Sequence, residues 1–493
     1  MRMELKNSTK IAIVDENGKL SYGDLISRAS HIARSLKIEE GTRVALCAEN
    51  SANTLATIVG IWLAKGVVFL MDPRLKSKNI NEILSQSSPQ IVVMSPATRN
   101  TFGGTLEKLN IENIVVTNDW DFENINDSIK KLDIVLESKD DLSTVVYTSG
   151  TTGKMLGVKL SNKNIFFSIK GLMDGNLINE NDALMSILPL HHAYGLVTAF
   201  SALFSHGTLI LPKVDSSSKI MEMIRENRPT TISSVPLFYK KLHKIISKRL
   251  GFLGRTIFKL TKLFGKNYIS NAVFSKVHES LGGRIRYLSS GGANLPTNIA
   301  KDFETMGLKI ISGYGLSEAG PIISCSLDGP IGSVGRPITE VKIVNREILA
   351  KGPGIMIGYF NDEDETQNRI KDEFLYTGDL GYIRDGFLHI DGRKKDLITL
   401  ENGKNIWPYE IESEMVKCRE INECVAVEKD GEIYIFVIPT SQTKESEIDN
   451  FVLRYNRRVE PYKKVKKYIF VDEIERTNLG KVKRYTLLKK LLN

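Results

Sequence analysis

STVVYTSGTTGKMLGV, residues 143 to 158, is the stretch that most constrains the fold of this 493-residue chain. Its first half is an apolar run that predicts a buried strand, and its second half combines glycines with hydroxyl side chains. Small residues let backbone N–H groups converge on an anion, and hydroxyls add donors or meet a metal ion. The stretch therefore indicates either a phosphate-binding loop or an ordinary strand-to-helix turn. It is not a Walker P-loop, because Gly150 and Gly153 are three apart and Met155 follows Lys154.

Length and composition predict a globular protein of two or more domains, with 42% hydrophobic and 25% charged residues. The N-terminus has no apolar core of the kind found in signal peptides. Lys65 and Gly66 interrupt the most apolar run, residues 54 to 73, which predicts a buried helix and a buried strand and no transmembrane segment. The four cysteines form no CxxC pair, which favours reduced thiols over a zinc site or disulfides. We therefore expect a cytoplasmic protein.

The net charge of +9 is concentrated between residues 240 and 286, where 12 Lys or Arg residues accompany one acid, Glu279. Apolar residues at helical spacing in this basic segment predict surface helices. Their basic face is either simply solvated or a binding surface for an acidic carrier protein, a phosphorylated cofactor or anionic lipid, the last implying peripheral membrane contact. Nucleic acid is not expected, because no nucleic-acid-binding module accompanies the charge.

The order of predicted elements indicates an α/β fold. From about residue 40 to 320, short β-rich runs alternate with amphipathic stretches, which predicts doubly wound, mostly parallel sheets covered by helices. Residues 331–392 have the pattern of a small antiparallel barrel or sheet. We place a large N-terminal domain at residues 1–392, a hinge at 393–397 and a small mobile α+β domain at 398–493, with a hairpin turn at Asp430-Gly431.

Several other turns carry residues suited to a nucleotide. Glu318 follows a strand in SGYGLSEAGP, and Mg²⁺ held by a nucleotide needs only one or two protein carboxylates. Asp379 in YTGDLGY suits a ribose diol, or else simply forms a turn. The glycines of YLSSGGANLP let the backbone approach a flat or anionic ligand. Arg393 and Lys481, taken alone, are ordinary surface charges.

Taken together and in this order, these segments resemble the acyl-adenylate-forming superfamily: acyl-CoA synthetases, amino-acid adenylation domains and firefly luciferase. The resemblance runs from LSYGDL and MDPRL near the N-terminus to TNLGKVKR near the C-terminus. GRKKDLITLENGKNIWPYEIE and YLSSGGANL are most similar to bacterial fatty-acyl-CoA synthetases. The resemblance implies an AMP-forming acid–thiol ligase. A carboxylate attacks the α-phosphorus of ATP to give acyl-AMP and pyrophosphate, and a thiol then displaces AMP.

The resemblance also implies roles for individual residues. Thr148 and Glu318 would hold Mg²⁺, and Lys481 would bridge the attacking carboxylate and the α-phosphate. His192, in LPLHHAYGL, would stand between the acyl and thiol sites, unless it is a structural histidine, and the small domain would rotate around Asp396. The nucleotide and thiol contacts would be Thr148, Ser149, Gly150, Thr151, Thr152, Gly153 and Lys154 at the β- and γ-phosphates, Gly291, Gly292 and Tyr314 at the adenine with Gly315 beside them, Ser317 at the α-phosphate, Asp379 and Arg393 at the ribose, and Gly403 at the thiol tunnel.

The loop departs from the family pattern. The family's loop normally ends Pro-Lys-Gly, whereas this chain has Met155, Leu156 and Gly157. Leucine cannot donate to a phosphate. We expect Lys154 to supply the missing charge, with Lys159 as the alternative.

The acid substrate and the thiol acceptor remain open. LPLHHAYGL matches the family segment beside the acyl pocket, where members that activate amino acids need an acid to pair with the ammonium group of the substrate. This segment contains no acid, and burying an ammonium group without a counter-charge is costly. The resemblance therefore implies a plain carboxylic acid, fatty or aryl. Thr399 stands where many aryl-CoA ligases carry a lysine, and this favours a fatty acid. Coenzyme A is the expected acceptor, and the phosphopantetheine of an acidic acyl carrier protein is the alternative. A third hypothesis, suggested by Leu156, is a nucleotide-binding homologue without catalysis.

Overall fold

Two seven-stranded sheets form the centre of the N-terminal part of the molecule. The computed structural model describes residues 1–109, 113–117, 120, 122, 133–149, 155–213, 217–249, 274–399, 404–440, 443–476 and 482–492. Most strands of both sheets are parallel and helices connect them, so the predicted doubly wound α/β fold with a small C-terminal sheet is confirmed.

The first sheet contains the hairpin predicted to bind phosphate. It is parallel except for β10 (Met155–Ser161), which runs antiparallel to both of its neighbours. In order across the sheet, the strands are β18 (Gly358–Tyr359), β10 (Met155–Ser161), β9 (Leu142–Ser149), β5 (Val67–Leu70), β4 (Arg43–Cys47), β6 (Ile91–Met94) and β7 (Ile114–Val116).

The second sheet contains six parallel strands, of which β14 (Tyr287–Ser290) and β15 (Ile310–Ser312) lead into the glycine-containing turns of the candidate site. Only its edge strand β3 is antiparallel. In order across the sheet, the strands are β15 (Ile310–Ser312), β14 (Tyr287–Ser290), β13 (Thr231–Ser234), β11 (Ala183–Ser186), β12 (Thr208–Ile210), β2 (Ile11–Asp15) and β3 (Gly18–Ser21).

Smaller sheets complete the strands. β1 (Arg2–Leu5) pairs with β8 (Ile134–Glu137). A five-stranded antiparallel sheet contains β16 (Glu340–Val344), β17 (Glu347–Lys351), β20 (Phe374–Arg384), β19 (Ile370–Lys371) and β21 (Phe387–Arg393). A 3-10 turn, Lys394–Asp396, leads from it to the pair β22 (Ile398–Thr399) and β23 (Asn405–Ile406). The C-terminal sheet consists of β24 (Ile421–Lys429), β25 (Glu432–Pro439) and β26 (Val465–Phe470).

The helices of the described part cover these sheets. They are α1 (Tyr22–Ser35), α2 (Ala52–Leu63), α3 (Ser77–Ser87), α4 (Pro96–Lys108), α5 (Asn162–Asp174), α6 (Ala193–Phe204), α7 (Ser217–Asn227), α8 (Pro236–Arg249), α9 (Ser275–Ser280), α10 (Thr297–Thr305), α11 (Glu363–Arg369), α12 (Pro408–Met415), α13 (Glu445–Arg458) and α14 (Arg484–Leu492). None of the described helices is long and apolar enough to cross a membrane.

Local sequence explains several of these elements. Residues 54 to 73 form the buried helix α2 and the buried strand β5, as predicted. Ser21 begins α1 with a capping box, since its hydroxyl accepts from Asp24 N–H and the Asp24 carboxylate binds the Ser21 backbone. Asp430 and Gly431 have positive φ of 55° and 77° and close the predicted hairpin between β24 and β25.

The predicted strand-to-helix turn is wrong. β9 and β10 form an antiparallel hairpin in which Ser149 pairs with Met155 and Thr148 with Leu156, so residues 150–154 connect two strands. α5 begins only after β10, at a capping box on Ser161. A glycine- and threonine-rich connection fits either arrangement, and whether residues 155–161 form a strand depends on their packing against neighbouring strands, such as β18, which is distant in sequence.

The basic segment contacts the C-terminal part of the chain. Its residues 250–273 lie outside the described residues. On α8, burial, followed by the charge of Arg476, lowers the pKa of Lys240, which therefore faces the C-terminal part. Lys241 and Lys244 on the same helix are exposed.

Candidate active site

Asp379 is the centre of a buried hydrogen-bonded group. It lies in the middle of β20 and is 5% exposed. Its Oδ2 accepts a hydrogen bond of 2.8 Å from the hydroxyl of Tyr314, and its Oδ1 lies 3.1 Å from Nε of Arg393. Burial and then the negative charge of Asp379 raise the pKa of Tyr314 well above its ordinary value. Three predicted nucleotide residues, distant in sequence, are therefore in direct contact.

Glu318 occupies a short 3-10 turn, Ser317–Ala319, that also carries the predicted α-phosphate residue Ser317. The Glu318 side chain is buried, and its Oε1 accepts a hydrogen bond of 2.9 Å from the hydroxyl of Tyr359. Tyr359 belongs to β18, so this bond ties the turn to the first sheet. A carboxylate that accepts one hydrogen bond still has oxygen lone pairs for a further ligand.

Strand register places Glu318 near the hairpin. Thr148 pairs with Leu156, and two residues further along β10, Val158 pairs with Tyr359. Directly opposed residues share a face of a sheet, and so do residues two apart on one strand. Thr148 and Tyr359 therefore lie on one face, about 7 Å apart along the strand direction, and Tyr359 carries Glu318. We call this surface the hairpin face.

Leu156 belongs to the strand and not to the connection that it follows. It is half-buried and packs against the hydrophobic cluster that also contains Val158 and Tyr359. Lys159 lies on the opposite face of β10, because it is an odd number of residues away and the register is regular up to Leu160. Lys159 therefore cannot take the place of a charge at position 156.

Close approach explains two of the predicted glycines. A Cβ on Gly291 would lie 2.8 Å from the ring of Tyr194, whose hydroxyl is 3.3 Å from Ser289 Oγ. A Cβ on Gly315 would lie 1.8 Å from the carbonyl oxygen of Pro321. Both glycines follow strands of the second sheet, and Gly292 continues the same turn, so these backbone segments line the edge that faces the hairpin.

His192 precedes α6 and packs beside His191, with ring centroids 4.5 Å apart and ring planes tilted by 51°. Nε2 of His191 lies 3.4 Å from Oδ2 of Asp72, and Nε of Arg74 lies 3.1 Å from Oδ1 of the same carboxylate. Burial would raise the pKa of Asp72, but His191 and Arg74 hold it well below its ordinary range. The MDPRL segment therefore supports the histidine pair of LPLHHAYGL.

The remaining predicted residues lie outside the described residues or are described in part. Ser149 is described in part: its backbone forms the end of β9, and its side chain lies outside the description. Those wholly outside the description are Gly150, Thr151, Thr152, Gly153, Lys154, Gly403 and Lys481.

Both flanks of Lys481 are described. Arg476 forms an ion pair with Glu423 of β24 and a β-bridge with Val482. Nη1 of Arg484 donates to Oε1 of Glu412 at 2.6 Å. Ion pairs therefore anchor the chain to the C-terminal sheet and α12 on each side of residues 477–481.

The donor set fits a magnesium ion carried by a nucleotide better than one held by protein alone. Within the described ranges, no cluster of three or more His, Cys, Asp or Glu residues could hold a metal. Glu318 and Thr148 offer one carboxylate and one hydroxyl on the hairpin face, and Mg²⁺ usually takes its other ligands from phosphates and water.

Sequence reasoning missed three side chains that shape the site. Tyr359 holds Glu318, Tyr194 packs on Gly291, and Asp72 supports the histidine pair. Asp72 had a visible signal, since the MDPRL segment was already recognised as part of the resemblance. Tyr194 had the same kind of signal, since it lies in LPLHHAYGL. Tyr359 had none, because its partner is set by strand register.

Comparison with known proteins now defines the class of enzyme. The chain belongs to the AMP-binding enzyme family: the family's main model matches residues 4–360, and the model of the AMP-binding enzyme C-terminal domain matches residues 410–481. The predicted acyl-adenylate-forming superfamily is confirmed, and an AMP-forming acid–CoA ligase is the class that these matches support.

Particular relatives extend over almost the whole chain. The long-chain-fatty-acid–CoA ligase of Bacillus subtilis (strain 168) is 27% identical and covers 97% of this chain and 91% of its own length. Feruloyl-CoA synthase of an Amycolatopsis species is 24% identical over 94% of this chain and 92% of its own. The crystal structure of ATP-bound MatB from Rhodopseudomonas palustris superposes with a TM-score of 0.81 and 25% identity, covering 99% of this chain and 96% of its own.

Proposed function

We propose that this protein activates a carboxylic acid with ATP and transfers the acyl group to the thiol of coenzyme A. In the first step a carboxylate oxygen forms a bond to the α-phosphorus, and the bond to pyrophosphate breaks. In the second step the thiol sulfur bonds to the acyl carbon, the bond to AMP breaks, and the thiol proton is released to solvent.

One observation carries the proposal: the hairpin face and the Asp379 group lie on either side of one side chain, Arg369, which interacts with Tyr359 and lies beside Gly378. Glu318 stands on the hairpin side, and Tyr314, Asp379 and Arg393 stand on the other. A carboxylate that accepts from Tyr314 and Arg393 can also accept from ribose hydroxyls. A nucleotide would bind between these groups, with its phosphates at the end of the β9–β10 hairpin and its ribose at Asp379.

The reaction requires charge stabilisation and positioning more than proton transfer. Glu318 and Thr148 would orient Mg²⁺, which neutralises phosphate charge when bound. Arg393 would hold the ribose end through Asp379. Lys481 would stabilise the charge that develops on the carboxylate and α-phosphate, an effect that works best in a site closed to water.

The acid is proposed to be fatty. The relatives include a ligase named for long-chain fatty acids and a feruloyl-CoA synthase, which acts on an aryl acid by its name. The helix that follows His192 supports a fatty acid, since α6 is almost wholly apolar and buried. Tyr194, the polar side chain nearest its start, is engaged with Ser289.

A pyrophosphate-release screen tests this function. Purified protein with ATP and Mg²⁺ is offered straight-chain fatty acids and aryl acids, and we expect release that depends on a fatty acid. Lys481→Ala should reduce the rate by about 100-fold or more. Lys489→Ala, an exposed lysine on α14, is the matched control and should leave the rate unchanged. Release that no carboxylic acid stimulates would refute the proposal.

An acyl carrier protein is the second candidate acceptor. Exposed Lys241 and Lys244 on α8 favour it, because carrier proteins are acidic. After acyl-AMP has formed, the enzyme is given coenzyme A or a phosphopantetheine-bearing carrier protein. Faster AMP release with the carrier protein, lost in a Lys241→Glu, Lys244→Glu variant, would assign the acceptor.

A further inference from the structure

Arg369 is a half-buried cation without a chemical role in the reaction proposed above. It is the last residue of α11, whose position is fixed by two hydrogen bonds through the Thr366 hydroxyl. That hydroxyl accepts from Tyr359 N–H at 2.8 Å and donates to the carbonyl oxygen of Asp362 at 2.8 Å. Asp362 also caps the helix by accepting from Glu365 N–H. α11 is therefore attached directly to β18.

The guanidinium of Arg369 lies between the two halves of the candidate site. One terminal nitrogen is 3.2 Å from the point that a Cβ on Gly378 would occupy, directly beside Asp379. The group also interacts with the hydroxyl of Tyr359, the donor to Glu318. Arg369 thus connects the hairpin face to the ribose side.

Its hydrogen-bonding capacity is incompletely used. Nε of Arg369 is buried and has no hydrogen-bond partner among the residues that the structure describes. Burial opposes its charge, but Glu318 and Tyr359 raise its pKa, so the side chain remains a cation. A buried N–H without an acceptor costs free energy, and an anionic ligand would remove that cost.

The hairpin face needs a cation at this place. Leu156 contributes none, and Lys159 points to the other side of the sheet. Arg369 approaches the same face from the neighbouring strand β18, through Tyr359. A guanidinium is suited to phosphate because its fork of donors can bind two oxygens at once.

We propose that Arg369 binds the part of the ATP triphosphate that leaves as pyrophosphate, in the place of a lysine at position 156. The inference rests on the proposed adenylation and deepens it. Arg369 replaces Lys154 as the expected source of the missing charge.

The test measures the two half-reactions, acyl-AMP formation and acyl transfer, separately in an Arg369→Met variant. The Michaelis constant for ATP in acyl-AMP formation, and for pyrophosphate in the reverse reaction from acyl-AMP, should each rise by about 10- to 100-fold, as for a lost charged hydrogen bond. Transfer of the acyl group from supplied acyl-AMP to coenzyme A involves no pyrophosphate and should stay within about twofold. Arg384→Met, an exposed arginine on β20, is the matched control.

A second substitution tests the place of the charge. Leu156→Lys added to Arg369→Met should restore at least about tenfold of the lost pyrophosphate affinity, because both side chains reach the same face. Lys154→Ala should change the ATP constant little. Unchanged constants in Arg369→Met, or equal loss in both half-reactions without rescue by Leu156→Lys, would overturn the inference. Wild-type protein that releases no acid-dependent pyrophosphate would refute the proposed function instead.

Discussion

Tyr314→Phe is the most direct test of the Asp379 group. The substitution removes only the hydroxyl that donates to Asp379 Oδ2 at 2.8 Å and keeps the ring in place. Asp379 is 5% exposed, so water cannot readily replace the donor, but Arg393 still holds the other oxygen at 3.1 Å. A hydrogen bond to a charged group contributes about 1.5–3 kcal/mol, and the remaining partner places this one near about 2 kcal/mol.

That energy corresponds to about a 30-fold change in an equilibrium constant. If Asp379 must be held rigidly to bind the ribose, the dissociation constant of ATP, measured by calorimetry without the acid, should rise by up to that factor. Tyr382→Phe is the matched control. Tyr382 lies on β20, the strand that carries Asp379, and its ring stacks on that of His389 with centroids 4.8 Å apart.

A double-mutant cycle with Asp379→Asn provides the refutation. If the hydroxyl acts through Asp379, the two substitutions should be strongly non-additive, with a coupling energy of about 2 kcal/mol. Additive effects, or an ATP dissociation constant in Tyr314→Phe within about twofold of wild type, would show that the contact does not position the ribose carboxylate.

Three further changes test other parts of the molecule. Gly315→Ala places a Cβ 1.8 Å from the Pro321 carbonyl oxygen, so the turn must move; thermal unfolding should show a loss of about 3 kcal/mol or more, and ATP binding should fail. Asp72→Asn should lower the melting temperature at neutral pH, because His191 and Arg74 hold the Asp72 pKa below its ordinary value. This contribution is present above the unfolded pKa of about 4 and is lost as the pH falls below it, so melting curves of wild type and variant should converge in acid. Burial raises the pKa of Tyr194 to about 12. The contribution of this group to the free energy of unfolding should be full below the unfolded pKa of about 10 and fall between pH values of about 10 and 12, measured as a wild-type loss over this range that is smaller in a Tyr194→Phe variant.

The sequence predicted those features that depend on local pattern. Glu318 and the glycines of YLSSGGANLP were found from turns that follow strands. Asp379 was found in YTGDLGY, which the structure shows to be the middle of β20 and not a turn. The structure brings Asp379, Tyr314 and Arg393 into contact. The hairpin, by contrast, was taken for a strand-to-helix turn. The residues from 143 to 158 contain no signal that distinguishes an antiparallel β9–β10 hairpin from a turn into a helix.

The missed residues share a physical cause. Tyr359 reaches Glu318 because a two-residue strand, β18, joins the edge of the first sheet about 200 residues after β10. Arg369 reaches the same place because α11 is bonded to that strand through Thr366. Each position is decided by a long-range register and has no characteristic neighbours in sequence.

The ion pairs that flank residues 477–481 have a consequence for how Lys481 would move. The bridge between Arg476 and Val482 joins the two described positions that flank this five-residue segment. Glu423 and Glu412 bind Arg476 and Arg484 and so attach both flanks to the C-terminal sheet and α12. We propose that Lys481 changes its position only together with this part of the chain. Substitutions at Glu412 or Glu423 should therefore impair the ATP-dependent step from a distance.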